Sequence, residues 1–113
     1  MNLHVDDVNP QTRRVRLKGR LDMQGAGAID LRFTALSTTD DKHIIVDLSE
    51  VDFIASIGMR LLLSCAKAKA QRGGQMLLVA PQTMVLEALE TAGIDSLIPL
   101  HADEAAAWAS LQS

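Results

Sequence analysis

Ser56 occupies the position in this chain that lends itself most readily to chemistry. It stands in the run Val51-Asp52-Phe53-Ile54-Ala55-Ser56-Ile57-Gly58-Met59, between the apolar stretch His43-Ile44-Ile45-Val46-Asp47-Leu48 and a helical pattern that continues to Arg72. As a nucleophile, Ser56 would need a base within hydrogen-bond reach. His4, His43 and His101 are the histidines available, and each falls at the beginning or end of an expected strand. The run Ile54-Ala55-Ser56-Ile57-Gly58 is also not the Gly-x-Ser-x-Gly elbow of a serine hydrolase. As a helix N-cap, Ser56 would accept a backbone N–H left orphaned in the first turn, with Gly58 keeping bulk away from its hydroxyl. The cap requires nothing beyond the strand-to-helix seam itself.

Other routes to catalysis have less to work with. Gly25-Ala26-Gly27 lacks the Lys-Ser/Thr of a phosphate-binding loop, and no histidine pair has metal-ligand spacing. Cys65 is the one cysteine, so neither an internal disulfide nor a cysteine-based zinc site is expected. It lies among Leu62, Leu63 and Ala66 and reads as a small buried hydrophobe. The expectation is a protein with no catalytic residues, no metal and no cofactor.

Composition narrows the partners. The chain has 113 residues, 48% of them hydrophobic, and a net charge of −3. That length suits one domain spanning residues 1–113 around a single aliphatic core. An acidic balance argues against a nucleic-acid binder, which normally carries a basic face. Two basic clusters, Arg13-Arg14-Arg16-Lys18 and Lys67-Lys69-Arg72, read as solvated faces. The N-terminus lacks the basic start and apolar core of a signal peptide. No apolar run approaches the roughly 20 residues that span a bilayer. A soluble, cytoplasmic protein without direct membrane insertion is expected.

The elements that must position Ser56 follow from periodicity. Leu3, Val5 and Val8 open a strand, Asn9-Pro10-Gln11-Thr12 is a turn, and Arg14-Val15-Arg16-Leu17-Lys18 alternates as a half-buried strand. Gly19-Arg20-Leu21-Asp22 breaks that strand, and Asp22 caps a helix with the stripe Ala26, Ile29, Phe33, Leu36. His43–Leu48 is apolar almost throughout and predicts a central strand. After Ser56 a second helix places Met59, Leu62, Leu63, Ala66 and Ala70 inward, and Gly73-Gly74 ends it. A buried strand at 75–80, a helix opened by Pro81 and stopped by Gly93, a short edge strand at 96–100 and an Ala-rich helix from Asp103 complete the chain. The order is β-β-α-β-α-β-α-β-α. It predicts an α/β fold with a mixed sheet, right-handed crossovers and helices mainly on one face, the other face left open beside the charged side of the second strand.

Three segments carry a family resemblance. Asp47-Leu48-Ser49 through Phe53-Ile54-Ala55-Ser56-Ile57-Gly58-Met59 resembles the central motif of STAS domains. Gly19-Arg20-Leu21-Asp22 is similar to that family's Gly-x-Leu/Ile-Asp element, and Leu89-Glu90-Thr91-Ala92-Gly93-Ile94 to its Leu-x-x-x-Gly-Leu/Ile element. Ala55 stands where the family usually has Asp, and Ile57 where it has Ser or Thr. The resemblance implies an anti-sigma factor antagonist, a binding module that is a substrate rather than an enzyme. Ser56 would be its phosphorylated residue. The implied partners are an anti-sigma factor with a histidine-kinase-like ATPase fold, acting as a serine kinase, and a metal-dependent serine phosphatase. A constitutive STAS scaffold in a signalling or membrane transport complex is the alternative.

The resemblance also implies a partner surface of Asp22, Asp52, Ala55, Ser56, Ile57, Gly58 and Met59. Several of these residues have a plainer reading. Asp22 is sufficiently explained as a cap, Asp52 as a turn residue, and Met59 as core by helical spacing. Ile57 is balanced between core and exposed anchor. Ala55 and Gly58 are expected to be small so that a partner can approach Ser56, and no cation is expected beside it.

Overall fold

The computed structural model describes residues 1–112. Its elements are β1 (Asn2–Asn9), β2 (Thr12–Leu21), α1 (Met23–Thr38), β3 (His43–Ile54), α2 (Ser56–Gln71), β4 (Met76–Val79) and α3 (Thr83–Thr91). A 3-10 turn (Ile94–Ser96), β5 (Leu100–His101) and α4 (Glu104–Leu111) follow. The strands lie in the order β1-β2-β3-β4-β5. The β1–β2 pair is antiparallel and the remaining pairs are parallel, so the expected mixed α/β sheet forms with β3 at its centre.

The alternation in β2 aims Val15 and Leu17 into the main core, where they join Ile44, Val46 and Leu48 of β3. Helices α1, α2 and α3 close that core with Ile29, Phe33, Leu62, Cys65, Val85 and Leu89. Phe33 is fully buried, and removing a ring of that kind from a core costs about 3–5 kcal/mol. The opposite face is covered in part by α4. Ala107 packs on Ile45, Leu77 and Val79, with Trp108 and Leu111 at the margin. Burial on both faces explains why β3 and β4 read as continuous apolar runs. It also corrects the expected open face, because α4 shields one side of the sheet and its Glu104 pairs with Arg14 of β2.

Other differences have local causes. β2 does not stop at Gly19. That glycine adopts φ +118 at a register shift, forming a bulge through which the strand continues to Leu21. β3 likewise runs past Leu48 to Ile54, held by pairing with the lengthened β2. The last strand contains only Leu100 and His101, because the chain at Ile94–Ser96 closes into a 3-10 turn instead. Pro81 lies ahead of α3, whose N-cap is Gln82.

On α2 the buried residues are Gly58, Leu61, Leu62, Cys65 and Lys69, with Met59, Leu63 and Ala66 only partly buried and Ala70 exposed. The inward stripe is thus rotated from the expected one, and Lys69 is not solvated. Its Nζ donates to the Asp40 carbonyl at 2.9 Å and to Asp40 Oδ1 at 3.1 Å. Arg13 completes the cluster, with Nη2 2.7 Å from Asp40 Oδ2. A buried ammonium is tolerated only with such partners. The cluster ties the start of β2, the α1–β3 loop and the end of α2 together.

Candidate functional site

The site is assembled where two strands end side by side. Leu21, last in β2, is in register with Ile54, last in β3. The Ala55 N–H donates to the Leu21 carbonyl at 3.0 Å. Helices α1 and α2 therefore start next to each other, and residues far apart in sequence share one rim.

Asp22 caps α1 as expected. Its Oδ1 accepts the Gly25 N–H at 2.9 Å. That hydrogen bond, aided by Arg20 and opposed by partial desolvation, holds the Asp22 carboxyl below the usual carboxylate range. Arg20 Nε lies 3.5 Å from Asp22 Oδ2, and the guanidinium stacks 4.3 Å from the centre of the Phe53 ring. The expectation that no cation stands here is therefore corrected. Arg20 is held over the rim by an aromatic face and a carboxylate together.

Ser56 is not the N-cap. Ala55 keeps extended geometry, φ −103 and ψ 170, while its carbonyl accepts the Met59 N–H at 3.1 Å. Ala55 is therefore the cap, and it has no side-chain acceptor to offer. The bond to Leu21 holds Ala55 in the extended conformation and makes Ser56 the first helical residue. The Ser56 side chain is exposed, and its hydroxyl makes no hydrogen bond among the described residues.

The other expected site residues divide by burial. Ile57 is 38% exposed beside Ser56. Met59 is half-buried and packs against the main core. Gly58 is buried, and a Cβ there would come within 2.6 Å of both Leu21 Cγ and the Leu21 carbonyl oxygen. Its small size serves the α2–β2 contact, which corrects the expectation that it makes room for a partner. Asp52 is exposed on β3, with no hydrogen bond or ion pair linking it to Asp22 or Ser56 among the described residues.

Two further residues border the rim. Met23, 73% exposed at the start of α1, and Arg60 on α2 line a groove of about 430 Å³ between these helices, together with Gly27, Asp30, Ile57 and Ser64. The sequence signal for Met23 was its place outside the apolar stripe of α1. Nothing in the linear pattern placed it beside Ile57. The possible catalytic groups lie elsewhere. His43 accepts the Gln75 N–H through Nδ1 at the start of β3, the opposite end of that strand from Ser56. Cys65 is buried against Thr34, and burial pushes its thiol pKa up, away from the reactive thiolate.

A five-stranded mixed sheet with an exposed serine at the junction after its central strand defines a recognisable α/β class. The STAS domain family model matches residues 5–107, and the chain belongs to that family. It is 26% identical over 99 residues to the anti-sigma F factor antagonist of Paenibacillus polymyxa, covering 87% of this chain and 85% of that protein. Its fold matches that of an anti-sigma factor antagonist from Mycobacterium paratuberculosis, with a TM-score of 0.87, 23% identity, and coverage of 99% and 94% of the two chains. The Bacillus cell fate determinant SpoIIAA, solved in a phosphorylated form, matches with a TM-score of 0.70 at 20% identity, over 97% and 99% of the two chains. No helix among the described residues is long and apolar enough to cross a membrane.

Proposed function

We propose that this protein is an anti-sigma factor antagonist, a binding module whose affinity for an anti-sigma factor is set by phosphorylation of Ser56. The observation that carries this reading is the exposed, unbonded Ser56 hydroxyl at the first position of α2, on a rim shared with Asp22 and Ile57. A hydroxyl so placed is open to a kinase. A phosphate there would lie at the positive end of a 16-residue helix, where free N–H groups favour an anion. The domain would therefore accept the modification without refolding.

A partner surface fitted to the neutral hydroxyl would not accept it, since about −1.5 to −2 charges would arrive where an uncharged side chain had been. The partner would be an anti-sigma factor that also acts as the serine kinase, and a phosphatase would restore the binding form. The names of the curated relatives and the phosphorylated SpoIIAA support this assignment. Incubation with the candidate kinase and ATP, followed by intact-mass and fragment measurement, tests it. One added phosphate on Ser56, with loss of binding to the anti-sigma factor, is the expected result. Unchanged binding after complete modification would favour a constitutive scaffold.

A further inference from the structure

The two basic clusters of this chain have different electrostatic fates. On β2 every cation is matched. Arg13 pairs with Asp40, Arg14 with Asp6 and Glu104, Arg16 with Asp47 at 3.5 Å, Lys18 with Glu50 at 3.7 Å, and Arg20 with Asp22. On α2 the buried Lys69 is matched by Asp40. Arg60, Lys67 and Arg72, all exposed, have no ion-pair partner among the described residues. The helix itself supplies none, because Ser56–Gln71 contains no acidic residue. An ordinary solvent-facing helix mixes the two signs, with acid–base pairs three or four residues apart. In a chain of net charge −3, Arg60 and Lys67 leave the outward face of α2 with an unmatched positive charge.

The geometry gives that face a shape as well as a sign. Arg60, Ser64, Lys67 and Gln71 recur at helical spacing, and with Leu63 and Ala68 they line a shallow groove of about 530 Å³ along the outside of α2. Cations alternate there with short apolar surface.

We propose that the outward face of α2, from Arg60 to Gln71, is a docking surface for an acidic segment of a partner protein. Carboxylates on such a segment would meet the two unpaired cations Arg60 and Lys67, and its apolar side chains would lie on Leu63 and Ala68. A nucleic acid is a poorer match. Two cations release few counterions, and the rest of an acidic chain repels the phosphates. A bilayer surface is also a poorer match, because the face carries no broad apolar stripe to insert. The surface adjoins Ser56 but depends on the cations, so it stands or falls independently of phosphorylation.

The test is an NMR titration of the isotopically labelled full chain with a poly-glutamate peptide. Phosphatidylserine vesicles and single-stranded oligothymidine are run in parallel. The expected result is amide shifts concentrated between Arg60 and Gln71, suppressed by added salt. The combined substitution Arg60→Gln and Lys67→Gln should weaken peptide binding about fivefold, as expected for two exposed charge contacts. Lys18→Gln, which removes a charge already matched in the sheet, should leave it unchanged. Far-UV circular dichroism shows that each variant is folded. Shifts spread equally over β2, an unaffected double variant, or tighter binding to the vesicles or the oligonucleotide would each overturn the proposal.

Discussion

The Leu21 carbonyl accepts the Ala55 N–H at 3.0 Å, and that bond joins the two ends of the sheet that launch α1 and α2. Ala55 is held extended, Ser56 becomes the first helical residue, and Gly58 comes down on the Leu21 side chain. The exposure of Ser56 and the burial of Gly58 have one cause.

Gly58 and Gly27 should respond oppositely to alanine. At Gly58 the new methyl would meet the Leu21 carbonyl and side chain at 2.6 Å, and overpacking of that kind costs about 1–3 kcal/mol. At Gly27 nothing lies within 4 Å, so the helix propensity of alanine should add about 0.5–1 kcal/mol. Urea denaturation of the two variants checks the pair. Gly58→Leu is expected to lose the fold, so loss of binding by that variant reports nothing about a partner contact.

Ser56 makes no cap bond, so Ser56→Ala should change stability by less than about 0.5 kcal/mol, where loss of a true cap would cost about 0.5–2 kcal/mol. Ser56→Glu should melt at or slightly above wild type, because an anion near a helix N-terminus is favourable by about 0.3–1 kcal/mol. Against the anti-sigma factor the two should separate. The Ala variant should bind like the unmodified protein. The Glu variant should lose about 2–5 kcal/mol, roughly 30- to several-thousand-fold in Kd. Calorimetric titration with melting curves alongside measures both, and equal affinities would refute the switch.

Ala55→Asp should stabilise the protein. It supplies the side-chain acceptor that α2 lacks, an addition of about 0.5–2 kcal/mol, reduced by repulsion from nearby Asp22. A gain in the denaturation midpoint at neutral pH that shrinks as the pH falls below about 4 would identify the new carboxylate as its source.

Asp40 should make the protein acid-sensitive. Burial pushes its carboxyl pKa up, but Arg13, the Lys42 N–H and Lys69 outweigh this and hold it well below the usual carboxylate range. A folded-state value below the unfolded one contributes stability above the unfolded pKa, and that stability is lost as the pH falls from about 4 through the folded value. Asp40→Asn should flatten this part of the pH–stability curve. At neutral pH it should also cost on the order of 3 kcal/mol, because Lys69 would remain buried without its counter-charge. Melting temperatures from pH 2 to 7 for both proteins provide the comparison.

Periodicity and local chemistry in the sequence determined the order of elements, the central place of β3, the caps Asp22 and Asp103, and the glycine stops after α2 and α3. These depend on neighbours a few residues away, and the information is local. The motif around Ser56 was legible for the same reason. Tertiary contacts decided the rest. Gly19 looked like a strand breaker, yet pairing across the β2–β3 ladder carries the strand through it as a bulge. Lys69 looked like one more surface cation, and only the approach of Asp40 from the α1–β3 loop makes its burial possible. Ser56 looked like a cap until the Leu21 carbonyl, 34 residues before Ala55, assigned that role to Ala55. In each case a long-range partner overrode a local preference, because a buried hydrogen bond or charge pair outweighs the few tenths of a kcal/mol that separate one local choice from another.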